Sequence, residues 1–292
     1  KQYDTEIGAP EVRAFYKIYQ TSTPGTVLRN GETSIKDGPM TITVSNLKLK
    51  PDDYTVEIYR ETVDKKLKST IIAKDFKLTV PLSEPSISAD NIVIQKGAIF
   101  NPVDGVTVQD EFRDDITGKL VVKSNPVDVN KLGTYTVTYE AQAAYSLVTK
   151  SRKVTVVDEE SVYDDRNVIR ANNWTIQKTE VRELTDAKIL ANGQAIAWEI
   201  ETNTPLAITV IKNMIEEKVG AYQVQYAAGT VSNEVIVSVI GDNTEIDEDK
   251  NTALDASDFN LDISEVSGLT EDAIKVKANA IAWNLKDGSD IA

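Results

Sequence analysis

Residues 169–198 read IRANNWTIQKTEVRELTDAKILANGQAIAW, and residues 254–283 read LDASDFNLDISEVSGLTEDAIKVKANAIAW. The two stretches align without a gap at a constant offset of 85 residues, Ala171 to Ala256. The same offset carries Trp174 to Phe259, Ile176 to Leu261, Val181 to Val266, Leu184 to Leu269, Ile189 to Ile274 and Trp198 to Trp283. The matches fall mainly on apolar positions. Two copies of one fold should share those, because core positions constrain residue type and exposed positions do not.

A looser repeat marks where modules close. Gly133-Thr134-Tyr135-Thr136-Val137-Thr138-Tyr139 recurs as Gly220-Ala221-Tyr222-Gln223-Val224-Gln225-Tyr226, with Asp53-Tyr54-Thr55-Val56-Glu57-Ile58 as a weaker third version. Each run alternates with period two and is followed by another alternating run: Phe76–Val80, Val154–Val157 and Val235–Val239. Two closing antiparallel strands are the simplest reading, and a tyrosine just inside the first of them is where sandwiches place a tyrosine corner.

These landmarks predict an all-β chain of tandem immunoglobulin-like β-sandwich modules at residues 1–83, 84–158, 166–241 and 250–292. In the first module strands are expected at Val12–Tyr19, Met40–Val44, Tyr54–Tyr59 and Phe76–Val80. Pro85 breaks the ladder before the second module. Two acidic runs, Asp158–Asp165 and Gly241–Lys250, read as solvated linkers. Counted by the 85-residue step, the fourth module is expected to be incomplete, its closing strands missing.

Composition removes whole classes of function. The 292 residues carry 32 Lys and Arg against 46 Asp and Glu, a net charge of −14, which repels nucleic acid and anionic lipid. Cysteine and histidine are both absent, so there is no thiolate nucleophile, no disulfide, no His-ligated metal and no serine triad of the usual kind. No apolar run approaches the roughly 18 residues of a membrane helix, so no direct membrane insertion is expected. Lys1 does not begin a signal peptide, and the chain reads as an internal or mature fragment.

The second module carries a family resemblance. Pro85-Ser86-Ile87, Asp90, Val93-Ile94, Gly97-Ala98-Ile99-Phe100, Gly105-Val106-Thr107-Val108, Asp110, Asp115-Ile116-Thr117, Gly133-Thr134-Tyr135 and Val154-Thr155-Val156 together resemble a group 3 bacterial Ig-like domain. One departure is local: Arg113-Asp114-Asp115 stands where that family has an Asp-Gly-Asp-like turn. The third and fourth modules resemble the Ig-like repeats of large Gram-positive surface proteins, and Leu49–Tyr54 is similar to a fibronectin type III segment. The resemblance implies a stalk or adhesive segment outside the cell, surface or cell-wall anchored. It implies no catalytic residues, a monomeric elongated chain, and a host-surface protein or glycan as partner. The alternative is a set of accessory modules, carbohydrate-binding or spacer, from a secreted polysaccharide-active enzyme or phage virion protein.

Three constellations invite sharper readings. Asp247, Asp249, Asn251, Asp255 and Asp258 occupy positions 1, 3, 5, 9 and 12 of a calcium loop, but Thr252 replaces the glycine of its sharp turn and the flanks read as strands. Calcium is thus the one cofactor weighed, against a plain acidic linker. Trp174, Trp198 and Trp283 could stack sugars, yet Phe259 substitutes at the first position, a tolerance typical of a core. Carboxylate pairs such as Glu199 with Glu201 are too common here to mark a glycosidase. No strand shows a lysine in an apolar phase, as an intramolecular Lys–Asn isopeptide bond would need.

Overall fold

A computed structural model describes residues 12–34, 48–62, 65, 68–78, 82–249 and 251–291. The expected strand at Met40–Val44 and the boundary at Lys250 lie outside these residues. Two compact units are present. One takes the described residues of Lys1–Ile87 with Thr107–Leu120 and Ala141–Val148; the other takes those of Ser88–Val106, Val121–Glu140 and Thr149–Ala292.

In the first module, β1 (Val12–Gln20), β2 (Val27–Ser34), β3 (Asp52–Thr62) and β4 (Ile72–Leu78) form one antiparallel sheet in the order β2-β1-β3-β4. Alternation sorts its two faces. Ala14, Ile18 and Tyr54 are buried on one. On the other, the rings of Phe15 and Tyr59 stack at 5.3 Å, and Lys17 and Lys68 place ammonium groups over Tyr59.

The second module contains β5 (Ser86–Ser88), β6 (Ile92–Gln95), β7 (Thr107–Gln109), β8 (Leu120–Ser124), β9 (Gly133–Gln142) and β10 (Leu147–Val157). Strands β5 and β7 pair, and a second sheet runs β6-β10-β9-β8, with β6 parallel to β10. The departure at Arg113 is absorbed within the turn. Arg113 adopts a left-handed conformation (φ 64°), and the Asp110 carboxylate accepts from the N–H groups of Phe112 and Asp114.

The third module repeats this plan with β11 (Ser161–Tyr163), β12 (Asn167–Arg170), β13 (Trp174–Gln177), the helix α1 (Asp186–Asn192), β14 (Ile196–Glu199), β15 (Thr209–Asn213), β16 (Gly220–Ala228) and β17 (Val231–Ile240). Its sheets run β11-β12-β14 and β13-β17-β16-β15, and β13 lies parallel to β17. Ile169, Ile189, Ala197, Tyr226, Val235 and Val237 belong to the core between them. Gly133 and Gly220 open β9 and β16 at φ near 140°, a conformation open to glycine and costly for other residues.

The fourth module has β18 (Thr244–Ile246), β19 (Thr252–Asp255), the helix α2 (Glu271–Lys277) and β20 (Ile281–Asn284), with sheet order β18-β19-β20. Residues 259–262, at the offset from β13, are not in a strand. A parallel partner makes β13 a strand in the third module, and no β17-like strand faces residues 259–262 among the described residues.

The chain is therefore all-β in plan, a tandem of Ig-like sandwich modules, with two corrections of detail. The acidic runs expected as solvated linkers each supply a strand, β11 and β18, because their backbones pair with β12 and β19. Short helices also interrupt the third and fourth modules at equivalent places.

Candidate functional site

The third module's smaller sheet is apolar on both faces, and this creates the site. Along β12, Ile169 joins the module's own core while its neighbour Val168 points the other way. Along β14, Ala197 joins that core while Trp198 points away. Trp198 and Val168 instead form a second cluster with Ile200 and with Val157, the last residue of β10, and Leu132 packs on its edge. Trp198 thus belongs to one module by sequence and to the junction with the preceding module by contact.

Polar groups fix the geometry of that junction. The indole Nε1 of Trp198 donates to Thr134 Oγ1 at 3.1 Å, and Thr134 and Thr155 share a hydroxyl–hydroxyl bond at 3.0 Å. Thr134 N–H donates to Asn203 Oδ1 at 2.9 Å. Asn203 sits left-handed (φ 55°) in the turn after β14, which aims its side chain at β9. These hydroxyls are buried, so each needs a partner; they bond to each other within the second module, and the Trp198 indole reaches Thr134 from the third.

The next junction repeats the tryptophan at the 85-residue offset and again pairs its indole with a hydroxyl of the preceding module. Trp283 in β20 is 2% exposed, and its Nε1 donates to Ser238 Oγ on β17 at 3.0 Å. Asn173 Nδ2 donates to the carbonyls of Leu285 and Lys286, while its Oδ1 accepts from Ile236 N–H. Gly288, the counterpart of Asn203, is also left-handed (φ 71°), and a Cβ there would meet Ala221 and Ile236 at 3.3 Å. Trp174 is different: it packs against its own module's core and donates to Tyr226 OH at 3.3 Å.

At the entrance to the third module, Asp158 accepts from Ser161 Oγ at 2.6 Å and from Arg170 Nε at 2.9 Å. Burial pushes the Asp158 carboxyl up, but the Ser161 and Arg170 hydrogen bonds and the Arg170 charge outweigh it and hold the group below its ordinary value. In the second module burial likewise raises Glu111. Bonds from the N–H groups of Ala144 and Tyr145 and from Ser146 Oγ overcome that, and the net direction is down.

The calcium-loop residues lie in and around the β18–β19 hairpin. Asp247 Oδ1 accepts from Asn251 and Thr252 N–H, closing the turn, and Asp255 Oδ1 accepts from Thr244 Oγ1 at 2.6 Å. Asp249, Asn251 and Asp258 are exposed. No group of three or more Asp or Glu among the described residues is gathered as a metal would require. Beside the second junction a groove of about 800 Å³ is lined by residues including Glu159, Glu160, Trp174, Asp247, Glu248 and Lys286. The junction role of the tryptophans was missed by the sequence reading. Its signal was the doublets Val168-Ile169 and Ala197-Trp198, which mark a strand covered on both faces.

The sheets and junctions define a class by fold: Ig-like β-sandwich modules in series. Residues 88–156 match the family described as "Bacterial surface protein, Ig-like domain". Over 170 residues, 54% of this chain, the sequence is 29% identical to the pesticidal crystal protein Cry22Aa of Bacillus thuringiensis, and the match spans 22% of that protein's length. Among solved structures, the lipoprotein BT2262 of Bacteroides thetaiotaomicron is similar at 17% identity and a TM-score of 0.26, over 52% of this chain and 98% of that one. The CBM51-2 and INT domains of Clostridium perfringens ZmpB, in complex with GlcNAc, are similar at 14% identity and a TM-score of 0.25, over 55% and 42% of the two chains. No helix among the described residues is long and apolar enough to cross a membrane.

Proposed function

We propose that this chain is a non-catalytic structural segment of a bacterial surface or secreted protein, a stalk whose serial modules hold another part of the protein in place. The observation that carries this reading is the junction built twice on one pairing, a buried indole with a hydroxyl of the preceding module, Trp198 on Thr134 and Trp283 on Ser238. A junction of this kind has no evident use in an isolated domain, whereas a stalk needs one between each pair of modules. Pulling the chain from its two ends tests the reading. Successive module-sized unfolding events are expected, and one low-force extension of the whole chain would defeat it.

An adhesive role, with a host-surface protein or glycan as partner, is a second reading favoured by the groove that includes Trp174. Incubation with a glycan array and with host cells, followed by product analysis, separates the possibilities. Binding without turnover supports adhesion, no binding leaves a pure stalk, and released product overturns the non-catalytic reading itself.

A further inference from the structure

We propose that Trp198 and Trp283 are coupling latches, each recognised by a hydroxyl on the closing strands of the preceding module, so that the second, third and fourth modules are joined in one fixed register. The inference rests on the scaffold reading and deepens it by naming the surface and its partner.

The two acceptors carry the argument. In the third module Ala221 on β16 faces Ser238 on β17 across the ladder. At the first junction the corresponding pair is Thr134 and Thr155, which bond to each other. The first junction thus offers Thr134 as acceptor, whereas the second has alanine on that strand and offers Ser238 from the facing one. The hydroxyl has changed strands, yet a hydroxyl still meets the indole. A buried indole N–H without a partner is costly, and at each junction it is the preceding module, not the tryptophan's own, that supplies the partner. The turn that follows is fixed too: Asn203 and Gly288 are both left-handed, and each N–H donates four residues back, to Glu199 and Asn284.

The second module shows the position without the latch. Bridges join Trp198 to Pro205, Trp283 to Asp290 and Gln109 to Asp115, so Gln109 stands on β7 where the later modules have tryptophan. The latch therefore belongs to the second-to-third and third-to-fourth junctions.

The test is a double-mutant cycle in the full chain with Trp198→Phe, Thr134→Val and the pair. Phenylalanine keeps a ring in the cluster and removes only the N–H, so folding should survive. Amide exchange is followed on β9 in the second module and on β12 in the third. Trp198→Phe is expected to speed exchange on both sides by about fivefold, Thr134→Val by more because it also breaks the bond to Thr155, and the double no further than Thr134→Val alone. Trp283→Phe and Ser238→Ala should do the same one junction along. Unchanged β9 protection in Trp198→Phe, or full additivity of the pair, overturns the latch. Either result leaves the stalk reading to the pulling experiment.

Discussion

The hydroxyls of Tyr54, Tyr135 and Tyr222 each donate to the carbonyl four residues back, of Lys50, Lys131 and Lys218. This tyrosine corner ties the entry of a closing strand to the loop before it, and its position was legible from the Asp53-Tyr54, Gly133-Thr134-Tyr135 and Gly220-Ala221-Tyr222 runs. Tyr222→Phe should cost about 0.5–1.5 kcal/mol, the usual net worth of one such bond, measured by urea unfolding; an unchanged midpoint would show the hydroxyl is idle. Gly193 poses a different constraint. A Cβ there would meet Tyr226 OH at 2.5 Å, and that hydroxyl is held by Ile189 O and Trp174 Nε1. Gly193→Ala should therefore lower stability by about 1–3 kcal/mol, as overpacking does. The corresponding Ala278 meets no such tyrosine. A calorimetric melt of Gly193→Ala no lower than that of the parent would refute the clash. Burial of Trp198 was readable from the repeat, but the side it faces was not, because alternation separates two faces without saying what covers each.

Helices α1 and α2 have local causes that the strand-based reading passed over. Thr185 and Thr270 cap them, accepting from Lys188 and Ala273 N–H, and Asp186, Glu271 and Asp272 place negative charge in their first turns. Gln194 and Asn279, 85 residues apart, leave the helices left-handed. Each signal stands in the sequence, yet seven-residue helices are too short for an apolar stripe to announce them. The acidic runs misled for another reason: charge suggests solvent, while the pairing of Ser161 with Arg170 is a backbone matter. The carboxylate of Asp158 then acts at the scale of the element, clamping β11 to β12 through Ser161 and Arg170. Because its pKa is lowered in the folded state, its stabilisation is present above the unfolded pKa and is lost as pH falls through the folded one. Asp158→Asn should lower the melting temperature at neutral pH, and the gap from the parent should close as the solution is acidified. A gap that stays constant down to pH 3 would show that the carboxylate charge contributes nothing.

Across the whole molecule, the 85-residue offset made the kinship of the third and fourth modules visible, because repetition needs no knowledge of partners. What covers each face was not visible, and so the junctions were not. Ile274 stands at the offset from Ile189 but is 42% exposed against 1%, since β16 and β17 cover only the latter. The net charge of −14 raises a further question at this scale, whether calcium stabilises the chain. A calcium loop around Asp247 would need Asp247 and Asp255 to turn inward together. The first is engaged by the backbone of Asn251 and Thr252, and the second by Thr244. Binding there would break the turn and the hairpin contact that hold β18 to β19, and ligation would have to exceed that loss. Diffuse attraction of calcium to an acidic surface is screened by salt, whereas a chelating site is not. Melts in millimolar calcium and in chelator, both at physiological ionic strength, should therefore coincide. A rise of several degrees in calcium that survives added salt, and that Asp247→Asn abolishes, would establish a built site in the hairpin.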